Sequence, residues 1–251
     1  MSGILGESLS EIVYHGSSWV GCRDTGVRIL CYHRVFDEKK DYLNVPSANF
    51  QAQMEWLKRE GYHTISLAEF FEGKGDSKSI MITFDDGYRD NYENAFPILK
   101  NLGFKAAIFC IADRIGQEPY LKLADIKEMH AQGFEFGSHT LSHPNLRRID
   151  QNEKWKEISQ SKKNLENIFG FPCDFFCYPF GEFDPESLQF VEKAGYRGAC
   201  SNTPGSNKKI DAYKLRRTEI SGFDSLNNFK KKVAGAYDLL HQGLHWMRRR
   251  P

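Results

Sequence analysis

The chain carries His139 and His143 four residues apart, and Asp85 and Asp86 side by side ahead of Gly87. Two imidazoles in an H-x-x-x-H spacing plus one carboxylate make a three-ligand set for a divalent metal such as zinc. Three protein ligands leave a position open for water, whose pKa the metal can lower from near 16 towards about 7. A second carboxylate beside the metal can orient that water and accept its proton. Adjacent aspartates suit the two tasks, because successive side chains leave a strand in different directions. Gly87 lets the backbone turn tightly behind them. Taken singly, an H-x-x-x-H pair arises by chance and Asp-Asp-Gly reads as a turn. Their combination points to a metal site. Two histidines and a carboxylate also describe the non-haem iron facial triad, but the extra adjacent carboxylate suits hydrolysis better than oxygen chemistry.

These residues follow segments that read as strands. Val27 to Tyr32, Ser79 to Phe84, Lys105 to Ile111, Phe134 to Gly137, Asp174 to Tyr178, Arg197 to Cys200 and Leu215 to Ile220 are apolar or strand-like runs. Between them lie helix-like stretches. One carries Phe50, Met54 and Leu57, capped by Ser47 and ended by Gly61; the next spans about 89–102, stopped by Gly103. Leu123 to Gln132 ends at Gly133. A long helix capped by Asp150 presents Trp155, Ile158, Leu165, Ile168 and Phe169 on one face and ends at Gly170; further helices are expected over about 184–194 and 225–240. Strands alternating with helices predict an α/β fold with a parallel sheet covered by helices. About seven such units suggest a (β/α) barrel, although an open doubly wound sheet uses the same alternation. In a barrel, residues after the strands share the C-terminal face. His33, Asp85, Asp86, His139, His143 and the Pro179-Phe180-Gly181 run would then meet on one rim.

Composition bounds the rest. The 251 residues have a formal net charge of +1, 40% hydrophobic and 27% charged side chains, which suits a soluble α/β domain. Near-neutral charge gives no reason to expect a nucleic-acid partner. No stretch approaches the roughly 20 apolar residues of a membrane span. Residues 1–26 hold charged side chains and no continuous apolar run, so an irregular lead-in is expected, with a cytoplasmic location or a leader already removed. Residues 27–240 read as the folded domain and 241–251 as a basic tail that includes Arg248, Arg249 and Arg250. The six cysteines form no C-x-x-C pair, and buried free thiols in a reduced compartment fit them. His15, His63, His130, His241 and His245 have no constellation around them. Trp56 and Trp155 fall in helices as core residues, and Arg216, Arg217 and Asp224 receive no role.

Thr83-Phe84-Asp85-Asp86-Gly87 and Ser138-His139-Thr140-Leu141-Ser142-His143 resemble the first two motifs of the polysaccharide deacetylases, carbohydrate esterase family four with its nodulation-type deacetylase homology domain. The likeness extends to Leu30-Cys31-Tyr32-His33, Tyr178-Pro179-Phe180-Gly181 and Thr203-Pro204-Gly205, over roughly residues 27–240. It implies a distorted (β/α) barrel of about seven parallel strands and hydrolysis of N-acetyl groups on a GlcNAc-type polysaccharide or lipid-linked glycan. It further implies Asp86, His139 and His143 as metal ligands, usually to zinc, and Asp85 as the catalytic base. Phe180, Tyr178, Pro179 and Gly181 would serve the oxyanion and the substrate, chiefly through a backbone N–H near Phe180.

Two departures stand out. Cys177 occupies the place where many members carry an arginine that braces the base. The late histidine that serves as general acid is missing too, since His241 and His245 fall in or after the final helix. The Tyr32-His33 pair resembles the branch of poly-N-acetylglucosamine deacetylases, in which the acid comes from the first strand, and this assigns the acid to His33. Three other readings stay open at the level of sequence. One is an inactive glycan-binding module on the same scaffold. Another is a hydrolase of a small amide, and the last a structural zinc domain closed by Cys177. Loops 34–46, 113–122 and 201–213 are expected to set specificity.

Overall fold

The computed structural model describes residues 26–38 and 41–238. The expected lead-in and basic tail lie outside the described residues, apart from Gly26; so do His15, Cys22, His241, His245 and the three tail arginines.

Ten strands are assigned in the described chain: β1 (Arg28–Tyr32), β2 (Arg34–Val35), β3 (Asn44–Val45), β4 (His63–Thr64), β5 (Ser79–Phe84), β6 (Ala107–Cys110), β7 (Glu135–Ser138), β8 (Phe175–Cys177), β9 (Gly198–Cys200) and β10 (Thr218–Glu219). Seven α-helices accompany them: α1 (Ser47–Arg59), α2 (Leu67–Phe71), α3 (Phe96–Leu102), α4 (Leu123–Ala131), α5 (Gln151–Phe169), α6 (Pro185–Lys193) and α7 (Leu226–Val233). The main sheet is parallel, in the order β10-β1-β5-β6-β7-β8-β9, with β4 added beside the start of β5. Leu215 forms a parallel bridge to Cys200, and three residues later Thr218 and Glu219 pair with Leu30 and Cys31. The segment 215–219 therefore bonds to the last strand on one side and the first on the other. It closes the sheet, and the barrel rather than the open sheet is the architecture.

Both faces of the barrel wall are buried, so its strands read as largely apolar runs, and the alternation becomes visible only in three dimensions. Leu30, Tyr32, Ile80, Ile82, Phe84, Phe176 and Tyr178 join Phe50, Met54, Leu57, Ile158 and Leu165 in the layer between wall and helices. Ile29, Met81, Phe109, Phe175, Cys177, Cys200 and Leu215 form a second, inner cluster. Helix α2 seals the barrel at the strand starts. Its Leu67 and Phe70 belong to the inner cluster, Phe71 packs on Phe175 at 5.4 Å, and the Glu135 carboxylate accepts the Leu67 and Ala68 N–H groups.

Helix ends follow local chemistry closely. Asp150 accepts from the Asn152 and Glu153 N–H groups at the head of α5, and Gly170 ends it with φ 79°. Ser47 departs from its expected capping role. It is the first helical residue of α1, after Pro46, and its own N–H is taken by Asp37 at 2.7 Å. Residues 91–95 wind as a π-turn before α3, ahead of Pro97, which has no N–H to give. Helix α7 stops at Val233 instead of about 240, with Gly235 at φ 81° just beyond. Among the described residues no helix is long and apolar enough to cross a membrane.

Candidate active site

The inward alternation of β5 runs Met81, Thr83, Asp85, so the first aspartate continues the interior and is 2% exposed. At Asp86 the backbone leaves the strand with φ 71°, and Gly87 follows at 75°. Gly87 is needed for a second reason: a Cβ there would stand 3.1 Å from Cys110 Sγ and 3.3 Å from Cys110 Cα. The turn aims Asp86 at the two histidines. His139 comes from the end of β7, and His143 from the loop behind it. Thr140 and His143 both adopt φ 69°, and the Thr140 Oγ1 accepts the His143 N–H at 3.0 Å. Glu157, from α5, accepts from the Leu141 and Ser142 N–H groups at 2.9 and 3.0 Å and from the Ser142 hydroxyl at 2.8 Å. Positive φ on non-glycine residues costs roughly 1–2 kcal/mol each and persists where surrounding contacts enforce it. Asp86, Thr140, His143 and Phe180 are the four described cases, and all four lie on this rim.

The three candidate ligands converge. Asp86 Oδ1 lies 3.6 Å from His139 Nε2 and 3.4 Å from His143 Nε2, and the two ring nitrogens are 3.2 Å apart. Ligand atoms about 2.0–2.1 Å from a tetrahedral ion stand about 3.3–3.4 Å from one another, so the trio fits a single divalent ion. His139 Nδ1 donates to the Cys177 carbonyl at 2.8 Å, which leaves the Nε2 lone pair facing the trio. Burial, first of all, lowers the His139 pKa to about 4 and keeps the ring in the neutral form that binds metals.

A second trio, Asp85, His139 and Cys177, also lies within ligand distance. Both Asp85 oxygens are bound to Arg217, however, and the Cys177 thiol accepts from the same guanidinium. The Cys177 side chain does point inward, as the structural-zinc reading required, but it is engaged there with Arg217 and Asp85.

Arg217 is the residue that sequence reasoning passed over. It lies just ahead of β10, fully buried, and its Nη1 and Nη2 donate to Asp85 Oδ1 and Oδ2 at 2.6 and 2.7 Å. Its Nε binds the Ser201 carbonyl, Nη1 also reaches Thr83, and Nη2 reaches Asn202. Burial works against the Asp85 charge. The Arg217 charge and its hydrogen bonds outweigh burial and hold the carboxyl well below the usual carboxylate range. The bracing arginine thus comes from the closing segment and not from the Cys177 position. A usable signal was present in the expected 215–220 strand, where alternation puts Arg217 on the same face as Leu215.

His33, Asp85, Asp86, His139, His143 and Phe180 line one cavity of 580 Å³. Tyr42, Leu43 and Glu219 form a further part of its wall, with Tyr42 donating to Glu219 at 2.7 Å. The 178–181 run divides. Phe180, 59% exposed and at φ 59°, sets its ring 4.8 Å from that of His143. Tyr178, Pro179 and Gly181 are buried and do not line the cavity. Period-2 alternation sends Cys177 inward and turns Tyr178 outward among Phe176 and Phe183. Gly181 backs onto Asn202, where a Cβ would stand 2.5 Å from the Asn202 Cβ. Away from the cavity, His63 bonds to Ser79, and His130 stacks on Phe171. Trp56 and Trp155 pack against Phe229 and Phe190. Asp224 pairs with Lys232 and accepts the Ser221 N–H, and Asn207 accepts the Arg216 N–H.

Comparison with known proteins agrees with this geometry. The polysaccharide deacetylase family profile matches residues 72–199. The protein YxkH of Bacillus subtilis (strain 168), itself assigned to the polysaccharide deacetylases, is 35% identical over 212 residues, 82% of this chain and 75% of its own. Poly-β-1,6-N-acetyl-D-glucosamine N-deacetylase of Staphylococcus aureus (strain MRSA252) is 29% identical over 253 residues, 86% of each chain. Among solved structures, the Streptococcus pyogenes deacetylase PplD in complex with acetate superposes with a TM-score of 0.76 at 26% identity, covering 84% of this chain and 98% of that one. With the profile and the Bacillus subtilis relative matching, and the family motifs meeting on one barrel rim, the chain belongs to the polysaccharide deacetylase family.

Proposed function

We propose that this protein hydrolyses N-acetyl groups on a polymer of N-acetylglucosamine, with zinc held by Asp86, His139 and His143. The observation that carries the reading is the pairing of that trio with a second, ionised carboxylate, Asp85, in one open cavity. An ion bound there supplies Lewis-acid polarisation of the acetyl carbonyl and a lowered pKa for water. The donor set of two imidazoles and one carboxylate at tetrahedral spacing suits zinc. The choice of glycan is supported by the Staphylococcus aureus relative, whose name specifies poly-β-1,6-N-acetyl-D-glucosamine.

The chain's own residues divide the work as follows. Asp85 takes the proton of the attacking water, which adds to the acetyl carbon. Among the described residues its Oδ1 accepts only from Arg217, so one lone pair remains for that proton. The backbone N–H at Phe180 donates to the oxygen that becomes negative. His33, on the cavity wall at the end of β1, protonates the departing amine as the C–N bond breaks, giving acetate and a free amino sugar.

The test joins metal content to acetate release from poly-β-1,6-GlcNAc and from chitooligosaccharides. About one zinc per chain and measurable acetate are expected. Asp86→Ala should lose both. Asp85→Asn should keep the zinc and lose at least about a thousandfold in kcat. Absence of bound metal after zinc addition would sink the mechanism. Tight zinc with no acetate from any glycan would instead support the binding-module reading.

A further inference from the structure

Beneath Asp85, two of the buried thiols of the barrel interior, on different strands, reach its carboxylate. Cys31 lies on β1 and Cys177 on β8. Each Sγ stands 3.6 Å from the same oxygen, Asp85 Oδ2. The other acceptors within their reach, the carbonyls of Tyr32 and Tyr178, lie farther away at 4.0 and 3.9 Å and carry no formal charge. An S–H is a weak donor, and hydrogen bonds to ionised oxygens are the stronger ones. Arg217 Nη2 donates in turn to Cys177 Sγ at 3.1 Å. Cys177 therefore touches both halves of the buried ion pair, accepting from the guanidinium and donating to the carboxylate.

We propose that Cys177, with Cys31, is a positioning residue for Asp85: the thiols fix the carboxylate by its Oδ2 edge and reserve Oδ1 for water. The proposal rests on the reading of Asp85 as the base. The two oxygens are held unequally. Oδ2 takes Arg217 Nη2 and both thiols, whereas Oδ1 takes Nη1 alone among the described residues. A bidentate guanidinium by itself would treat both edges alike. The surrounding inner layer is apolar, with Ile29 and Phe175 as chain neighbours of these thiols on the same face. An aliphatic side chain would pack there equally well but could not donate. Cysteine does both at these two positions.

The experiment compares Cys177→Ser, Cys177→Ala and Cys177→Val in the zinc-loaded protein, with metal content, kcat and KM for acetate release measured on each. The serine hydroxyl keeps a donor and an acceptor; alanine and valine keep neither. Serine should stay within about threefold of the parent kcat. Alanine and valine should lose about tenfold in kcat, the lower end for removing an outer partner of a site residue, with KM and zinc content unchanged. Parent-like kcat in Cys177→Ala, equal losses in serine and alanine, or a loss confined to KM would each overturn the proposal. If the Cys177 variants do not fold, Cys31→Ser and Cys31→Ala decide it by the same ordering. Asp85→Asn in the same assay separates the two readings. Activity retained there removes Asp85 as the base. A dead Asp85→Asn beside a fully active Cys177→Ala removes only the role of the thiols.

Discussion

Asp85 is a fully buried carboxylate, and burial alone favours its neutral form. Arg217 reverses that balance with two short parallel hydrogen bonds, which ties the stability of the barrel to the charge of this carboxylate. Arg217→Met keeps most of the volume and leaves a buried carboxylate without a cation. It should destabilise the protein by about 3–5 kcal/mol at pH 7 in urea denaturation. The pH dependence has a definite sign. In the parent, the folded pKa of Asp85 is depressed, so the stability it contributes is present above the unfolded value near 3.9 and is lost as pH falls through the folded value. In Arg217→Met burial dominates, the folded pKa rises, and the variant's neutral carboxyl no longer penalises the fold in acid. The stability gap between parent and variant, measured on metal-free protein, should therefore narrow as pH is lowered from 7 to below about 4. A gap constant with pH would show that the ion pair is not its source.

Helix α5 does more than cover the sheet. Its Glu157 gathers two backbone N–H groups and a hydroxyl of the loop that joins the two histidines, while Ser161, one turn on, accepts from the Ser138 hydroxyl at the end of β7. One helix thus sets both the root and the tip of the H-x-x-x-H segment. Glu157→Gln preserves shape but presents one N–H₂ end where oxygen is required. Zinc affinity should fall by about tenfold in a chelator competition, with the fold retained. Unchanged affinity would mean that the strained backbone at Thr140 and His143 holds the loop unaided. The ends of α5 were legible in the sequence because Asp150 and Gly170 act within one turn of themselves. Ser47 misled for the complementary reason: it is itself the first helical residue, and its own amide is satisfied by Asp37, ten residues away and visible only in the folded chain.

Over the whole barrel, the candidate ligand trio joins the ends of β5 and β7, and Asp85 is braced from the closing segment. An ion that binds only the folded chain adds about 2.7 kcal/mol at a hundred times its Kd. For a domain of this size each kcal/mol shifts Tm by about 2–4 °C. Zinc at that excess should therefore raise Tm by roughly 5–10 °C. EDTA should reverse the rise, and Asp86→Ala should abolish it. A Tm indifferent to zinc would contradict a preformed trio. This linkage runs through the whole fold, because the trio exists only when β5 and β7 are in register, separated by β6.

What the sequence determined by itself was whatever depends on neighbours along the chain. The strand–helix alternation, the glycine stops and the placing of Asp85, Asp86, His33, His139 and His143 after strands all rest on spacing and local conformation. The tertiary structure decided what depends on partners distant in sequence. It closed the sheet through Leu215 to Glu219, which open and barrel topologies cannot reveal by alternation alone. It also supplied Arg217 to a carboxylate 132 residues away, from the closing segment and not from the expected Cys177 position. Finally, it separated Phe180 from Tyr178. In a wall buried on both faces both sets of alternating residues are mostly apolar, so hydrophobicity keeps little record of which side chains face the cavity, and only the closed barrel assigns them.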